Sequence, residues 1–309
     1  MSDRATREAL GHEIVELGLK NKSIYVVDCD VGKSCKTLEF AKQFPSQYVN
    51  VGISEQNAVG LAAGLATTGK IPYVVTYAAF GSMRATEQIR QEVCYPKLNV
   101  KFLCSHGGLT PANDGASHQC IEDMGILRTI PNMTVLMPAD YNSARKLIAK
   151  SAEYDGPVYI RFTRDPVENL YNEETEFDIG KAYLIQEGSD ITIIANGDTV
   201  AIARHAAEKL EKEGISVQLY DMHTIKPLDE EAVRKAIQTT GKIITVEDHN
   251  IINGLGSAVC EIAAESGRCI VKRVGVRDSF GESAPYPELL KMNGITINTI
   301  YDLAKELCR

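Results

Sequence analysis

The run VNVGISEQNAVGLAAGLA at positions 49–66 passes from a strand to a helix within about six residues. Tyr48–Val51 is short and β-prone, and Gly52 interrupts it. From Ala58 to Ala66 every residue is apolar or glycine, the pattern of a helix buried all round, with Gly60 and Gly64 letting another backbone approach closely. Glu55 falls in the first turn. The ordinary reading is a carboxylate that complements the helix N-terminus, a gain of roughly 0.3 to 1 kcal/mol. A carboxylate leading into a buried helix also pays several kcal/mol of desolvation unless a partner or a proton compensates.

The same alternation extends in both directions. Strands are expected at Ile24–Asp28, Tyr48–Val51, Ile71–Val75, Val100–Cys104, Thr134–Met137 and Val158–Arg161, with helices at Glu55–Thr67, Met83–Val93, Cys120–Arg128 and Ala139–Ser151. Such βαβ alternation predicts an α/β fold with a parallel, doubly wound sheet over residues 1–165. DPVENLYNEETEFD at 165–178 carries six acids and neither Lys nor Arg, so 166–188 reads as a linker. Strands at Ile191–Ala195, Val217–Tyr220, Ile243–Val246 and Ile270–Val274 alternate with helices at Val200–Glu213, at Glu231–Gln238 and from Ser257. They predict a second, smaller α/β domain over 189–309.

The chain has 309 residues, 44% hydrophobic and 24% charged, with a formal net charge of -8. This balance offers no footprint for nucleic acid or an anionic membrane surface. No apolar run approaches the roughly 20 residues that span a bilayer, and the first ten residues lack a signal-peptide core, so a cytoplasmic location is expected. The eight cysteines form no C-x-x-C pair and read as buried thiols.

Several loops after expected strands hold polar or aromatic residues. Tyr77 and Phe80 follow one strand, either as core packing or as a platform for a planar ring. SHGGLTPANDGASHQ at 105–119 places His106, Asp114 and His118 in one long polar loop. The twelve-residue gap between its histidines does not suit a metal, and none is expected. Arg164 follows Val158–Arg161 and suits bidentate phosphate binding. All of these lie beyond strand carboxyl ends, the edge at which parallel α/β sheets bind ligands.

At these residues the sequence resembles the transketolase family, specifically its C-terminal half, over nearly the whole chain. VGISEQNAVGLAAGLA at 51–66, TYAAFGSMRATEQIR at 76–90 and DGASHQCIEDMGILRTIPNM at 114–133 carry the resemblance, with support from DMHTIKPLD at 221–229, TVEDHNIINGLGSAV at 245–259 and FGES at 280–283. It implies a thiamine-diphosphate pyrimidine-binding domain followed by a transketolase C-terminal domain. By the same resemblance Glu55 activates the cofactor, Phe80 stacks on its pyrimidine and Tyr77 lines that pocket. His106 and His118 then contact the reacting oxygens, Asp114 orients a donor hydroxyl and Arg164 holds the substrate phosphate. The implied reaction moves a two-carbon ketol unit from a ketose phosphate to an aldose, with the cofactor as electron sink.

Two departures bear on this reading. Asn113 stands where the family often has an acid. The family's diphosphate-binding pattern, a GDG followed by an asparagine, is absent from these residues. A partner N-terminal subunit carrying Mg²⁺ and the diphosphate site is therefore expected, in an α2β2 heterotetramer with self-association of this chain. The β-type subunit of a 2-oxo-acid dehydrogenase, a deoxyxylulose-phosphate-synthase-like half and a catalytically silent regulatory paralogue are the competing readings. His249 and the Gly254–Gly256 turn match the family and are expected at assembly contacts.

Overall fold

Six parallel strands make most of the first sheet in the computed structural model, which describes residues 3–309. They are β1 (Ile24–Asp28), β2 (Tyr48–Asn50), β3 (Ile71–Tyr77), β4 (Lys101–Ser105), β5 (Thr134–Leu136) and β6 (Val158–Arg161), in the spatial order β5-β6-β4-β3-β1-β2. Successive strand residues point to opposite faces, so each strand splits between two cores. Val26, Val75, Leu103, Leu136 and Ile160 join Leu10, Ile14, Phe40 and Leu147 on one face. Their neighbours Val27, Val74, Phe102, Val135 and Tyr159 join Ala58, Val59, Ile89, Met124 and Leu127 on the other. Near-continuous apolar strands are what a sheet covered on both faces requires.

The first face carries α1 (Thr6–Lys20) and α2 (Leu38–Gln43), and the second carries α3 (Glu55–Thr67). Alanine-rich α3 ends where Thr68 and the positive-φ Gly69 turn the chain back. The expected Met83–Val93 helix is instead a π-helical turn at Phe80–Arg84, the short α4 (Thr86–Gln88) and a second π-helical segment at Ile89–Cys94. Periodicity does not distinguish these helix types over so few residues. The second face also takes α5 (Asp123–Arg128), and the first takes α6 (Tyr141–Glu153), which packs on α1.

The second sheet has the order β12-β11-β8-β9-β7, built from β7 (Tyr183–Gln186), β8 (Ile191–Ala195), β9 (Val217–Asp221), β11 (Lys242–Asn250) and β12 (Ile270–Val276). Between β9 and β11, β10 (Thr224–Lys226) leaves this sheet and pairs antiparallel with β5. Residues 183–186, inside the expected linker, pair antiparallel with β9. The remaining helices are α7 (Thr199–Glu211), α8 (Glu230–Thr239), α9 (Leu255–Ser266), α10 (Tyr286–Met292) and α11 (Ile297–Cys308). Among the described residues no helix is long and apolar enough to cross a membrane.

Asp140 shows how local chemistry pins the layers. Its side chain caps α6 by accepting from Ser143 N–H at 2.8 Å, and its other oxygen accepts from Leu170 and Tyr171 N–H at 2.8 and 2.9 Å. The residue is fully buried. Asp140→Ala removes the cap and orphans two further buried donors, so denaturant unfolding should show a loss of about 2 kcal/mol or more.

Candidate active site

Because β2, β3, β4 and β6 run parallel, the loops after them share one edge of the sheet. Glu55 opens α3 beyond β2 and is 2% exposed. Its Oε2 accepts from Arg84 Nη1 at 2.7 Å, so the buried carboxylate has a cationic partner. That guanidinium also lies over the Phe80 ring, 4.7 Å from its centroid. Arg84 was not singled out from sequence; its position four residues after Phe80, on one helical turn, was the available signal.

The Ala58–Ala66 run of α3, expected to be buried all round, is buried on one side only. Gly64 is exposed, Gly60, Leu61, Leu65 and Ala66 are partly buried, and Ile53 just before the helix is 74% exposed. A Cβ at Gly64 would meet nothing within 4 Å, and one at Gly60 would meet only the Glu92 carboxylate. These glycines therefore lie along an open flank of this chain and make no close backbone contact within it.

The four rings expected at the site come together. Tyr77, the last residue of β3, stacks on His106 with centroids 4.0 Å apart and on Phe80 at 6.0 Å. His118 meets the edge of Phe80 at 5.6 Å and of Tyr77 at 6.4 Å. The result is one aromatic wall built from two loops of the same sheet edge.

His106 sits at φ +62°, an uncommon conformation for a residue other than glycine. Its Nε2 lies 3.4 Å from Arg7 Nη1, which can only donate, so Nε2 accepts and Nδ1–H donates to Ser105 Oγ at 2.9 Å. Burial, reinforced by Arg7, Arg164 and His118, pushes the imidazole pKa down to about 3. Arg7 escaped sequence reading because its placement is tertiary. Thr163 N–H donates to Thr6 Oγ1 at 2.7 Å, and this bond ties the start of α1 to the loop after β6.

Arg164 Nη1 donates to Asp114 Oδ2 at 3.1 Å and to the Pro111 carbonyl at 2.5 Å. Two of the three expected substrate-binding residues thus hold each other at a half-exposed position, with Asn113 exposed alongside. Gln119 Nε2, next to His118, donates to the Glu282 carbonyl at 2.9 Å, which packs FGES against this loop.

Arg161, the last residue of β6 and three residues before Arg164, is buried at 1% exposure, with Nη1 3.5 Å from Asp123 Oδ1 and Nη2 donating to the Asp248 carbonyl at 2.6 Å. His249 departs from its expected place at assembly contacts. It is fully buried, its Nδ1–H donates to the Asn250 carbonyl at 2.6 Å and its Nε2 accepts from Gly125 N–H at 3.2 Å. It joins β11 to α5 within this chain.

Residues 2–168 match the transketolase pyrimidine-binding domain model, and residues 180–300 match the transketolase C-terminal domain model. The chain belongs to the transketolase family. It is 46% identical over 94% of its length to a Methanocaldococcus jannaschii chain named for a transketolase C-terminal section, of which it covers 92%. It is 40% identical over 95% of its length to the 6-deoxy-6-sulfo-D-fructose transketolase subunit SqwH of a Clostridium species, covering 91% of that protein. A solved structure titled "Split gene transketolase, inactive beta4 tetramer" superposes with a TM-score of 0.91 at 44% identity, covering 99% of both chains.

His106, His223 and His249 are all held below the ordinary imidazole range by burial, His223 and His249 at about 4. His205 is raised, chiefly by its hydrogen bond to Glu168. In a histidine-selective ¹⁵N spectrum the first three should stay neutral as pH falls from about 7 to about 5, while His205 gains its proton above the unperturbed value near 6.5. Protonation of His106 within that window would contradict the buried geometry.

Proposed function

We propose that this chain is the C-terminal subunit of a split transketolase and binds the pyrimidine end of thiamine diphosphate. The observation that carries the reading is the placement of Arg84. A planar group of N–H donors hydrogen-bonds the buried Glu55 carboxylate and lies over the Phe80 ring. An aminopyrimidine is also planar and also offers N–H donors, so the arrangement fits that ring, which would take the guanidinium's place.

When bound, the cofactor supplies the carbanion and the electron sink for cleavage next to a ketose carbonyl. Glu55 holds a proton at the pyrimidine, and Phe80 and Tyr77 support its plane. His106, neutral at pH 7, and His118 offer ring nitrogens to the sugar's reacting oxygens. Arg7 and Arg164 supply the local positive charge that a phosphate needs on a chain of net charge -8. Asp114, already bonded to Arg164, orients a donor hydroxyl.

We place Mg²⁺ and the diphosphate site on an N-terminal partner subunit. The near-complete overlap with a split-gene structure supports this arrangement. An α2β2 assembly, a cytoplasmic location and pentose-phosphate substrates complete the proposal. The pyrimidine domain covers 1–165; because β7 at Tyr183–Gln186 already belongs to the second sheet, we end the linker, expected to run over 166–188, before Tyr183 and begin the C-terminal domain there.

Alone, the chain should transfer no two-carbon unit; mixed with a chain bearing the diphosphate-binding half and Mg²⁺, it should transfer one from a ketose phosphate to an aldose phosphate. Activity of the isolated chain, or silence of the reconstituted pair on every ketose phosphate, would count against the proposal. In that pair Glu55→Gln should lower kcat about a hundredfold or more while leaving the thermal transition in place. Wild-type turnover in this variant would remove Glu55 from the mechanism.

A further inference from the structure

The turn that carries His106 is held from both sheets. Gly107 N–H donates to the Phe162 carbonyl at 3.1 Å, and Gly108 exchanges backbone hydrogen bonds with Cys120 at 2.7 and 2.9 Å. The next amide, Leu109 N–H, finds no acceptor in the first sheet and donates to both carboxyl oxygens of Asp248 on β11, at 3.1 and 3.0 Å. A side chain at Gly107 would collide with Arg161, and one at Gly108 with Asp248 and Arg161. The two glycines therefore let the turn lie directly on this charged pair.

Asp248 is itself fixed. Arg161 Nη2 donates to its main-chain carbonyl at 2.6 Å, and Tyr286 O–H lies 3.2 Å from its Oδ2 while also bonding Asp198. All four side chains are buried. We propose that Asp248 is a positioning residue for His106: by accepting Leu109 N–H from across the inter-sheet boundary, it fixes the turn that aims the imidazole into the Tyr77–Phe80–His118 wall. The second sheet thereby acquires a role in the chemistry of the first. A positive-φ residue persists where its surroundings hold it, and on the C-terminal side Asp248 adds the hold at Leu109 to those that Phe162 and Cys120 give Gly107 and Gly108.

The proposal rests on the sugar-site reading only for its catalytic consequence, so the test has two arms. The first uses this chain alone and reads Leu109 amide exchange together with the His106 imidazole ¹⁵N shifts. Asp248→Ala should speed Leu109 exchange about tenfold, as loss of this buried hydrogen bond implies, and move the His106 resonances. Asp248→Asn, which keeps a carbonyl acceptor, should restore both. If Asp248→Ala does not fold, Gly108→Ala pushes the turn off an unchanged Asp248 and should move the same signals. Unchanged His106 resonances in a folded variant of either kind overturn the proposal, even if the thermal transition falls.

The second arm uses the enzyme reconstituted with its diphosphate-binding partner. Asp248→Ala should lower kcat, and adding it to His106→Asn should lower kcat no further. Full additivity of the two losses overturns the proposal. Wild-type transfer by His106→Asn would instead sink the sugar-site reading and leave the spectroscopic result standing.

Discussion

A guanidinium shut away from water between two sheets constrains much of this molecule. Arg161 is 1% exposed, and an uncompensated buried charge of this kind costs several kcal/mol. Compensation comes from Asp123 on α5 and Asp248 on β11, one acid from each side of the inter-sheet boundary. The sheets must therefore meet in one register, because a slip would strand the charge. Glycines at 107 and 108 follow from the same crowding, and with them the loop conformation that presents His106. The buried acids respond in turn: burial and then its neighbour Asp198 push Asp248 up, with Arg161 working against them.

The opposite end of the site solves a similar problem with less burial. Glu55 is 2% exposed but Arg84 remains about half exposed, so the pair sits at a rim. A cation at a rim can be exchanged for a ligand at modest cost, whereas Arg161 cannot be exchanged at all. This difference in solvent access separates the arginine that belongs to the site from the one that builds it. It also explains how an acidic chain can present Arg7, Arg84 and Arg164 locally along one sheet edge.

Much of this was legible in the sequence. β1 and β6, the helix at Glu55–Thr67 and β8 fall on the residues expected from β-prone runs and apolar periodicity. The strand-end rule gathers Glu55, Tyr77, Phe80, His106, Asp114, His118 and Arg164 from sequence, and the four rings among them do touch. α1 was not anticipated, because the charged residues at its start mask the Leu10, Ile14 and Leu17 stripe that faces the sheet. β10 was missed because three residues of antiparallel pairing carry no periodic signal.

Local chemistry thus determined the alternation of elements, the edge at which the site lies and the family to which the chain belongs, since each depends on residues close together in sequence. Tertiary structure alone decided which charges are paired. Arg7 reaches His106 across 99 residues, Asp248 reaches Leu109 across 139, and His249 is sealed in the core. The physical reason is desolvation: whether a charged or polar side chain is a ligand, a clamp or a buried strut depends on what removes its water, and that is set by parts of the chain far away along it.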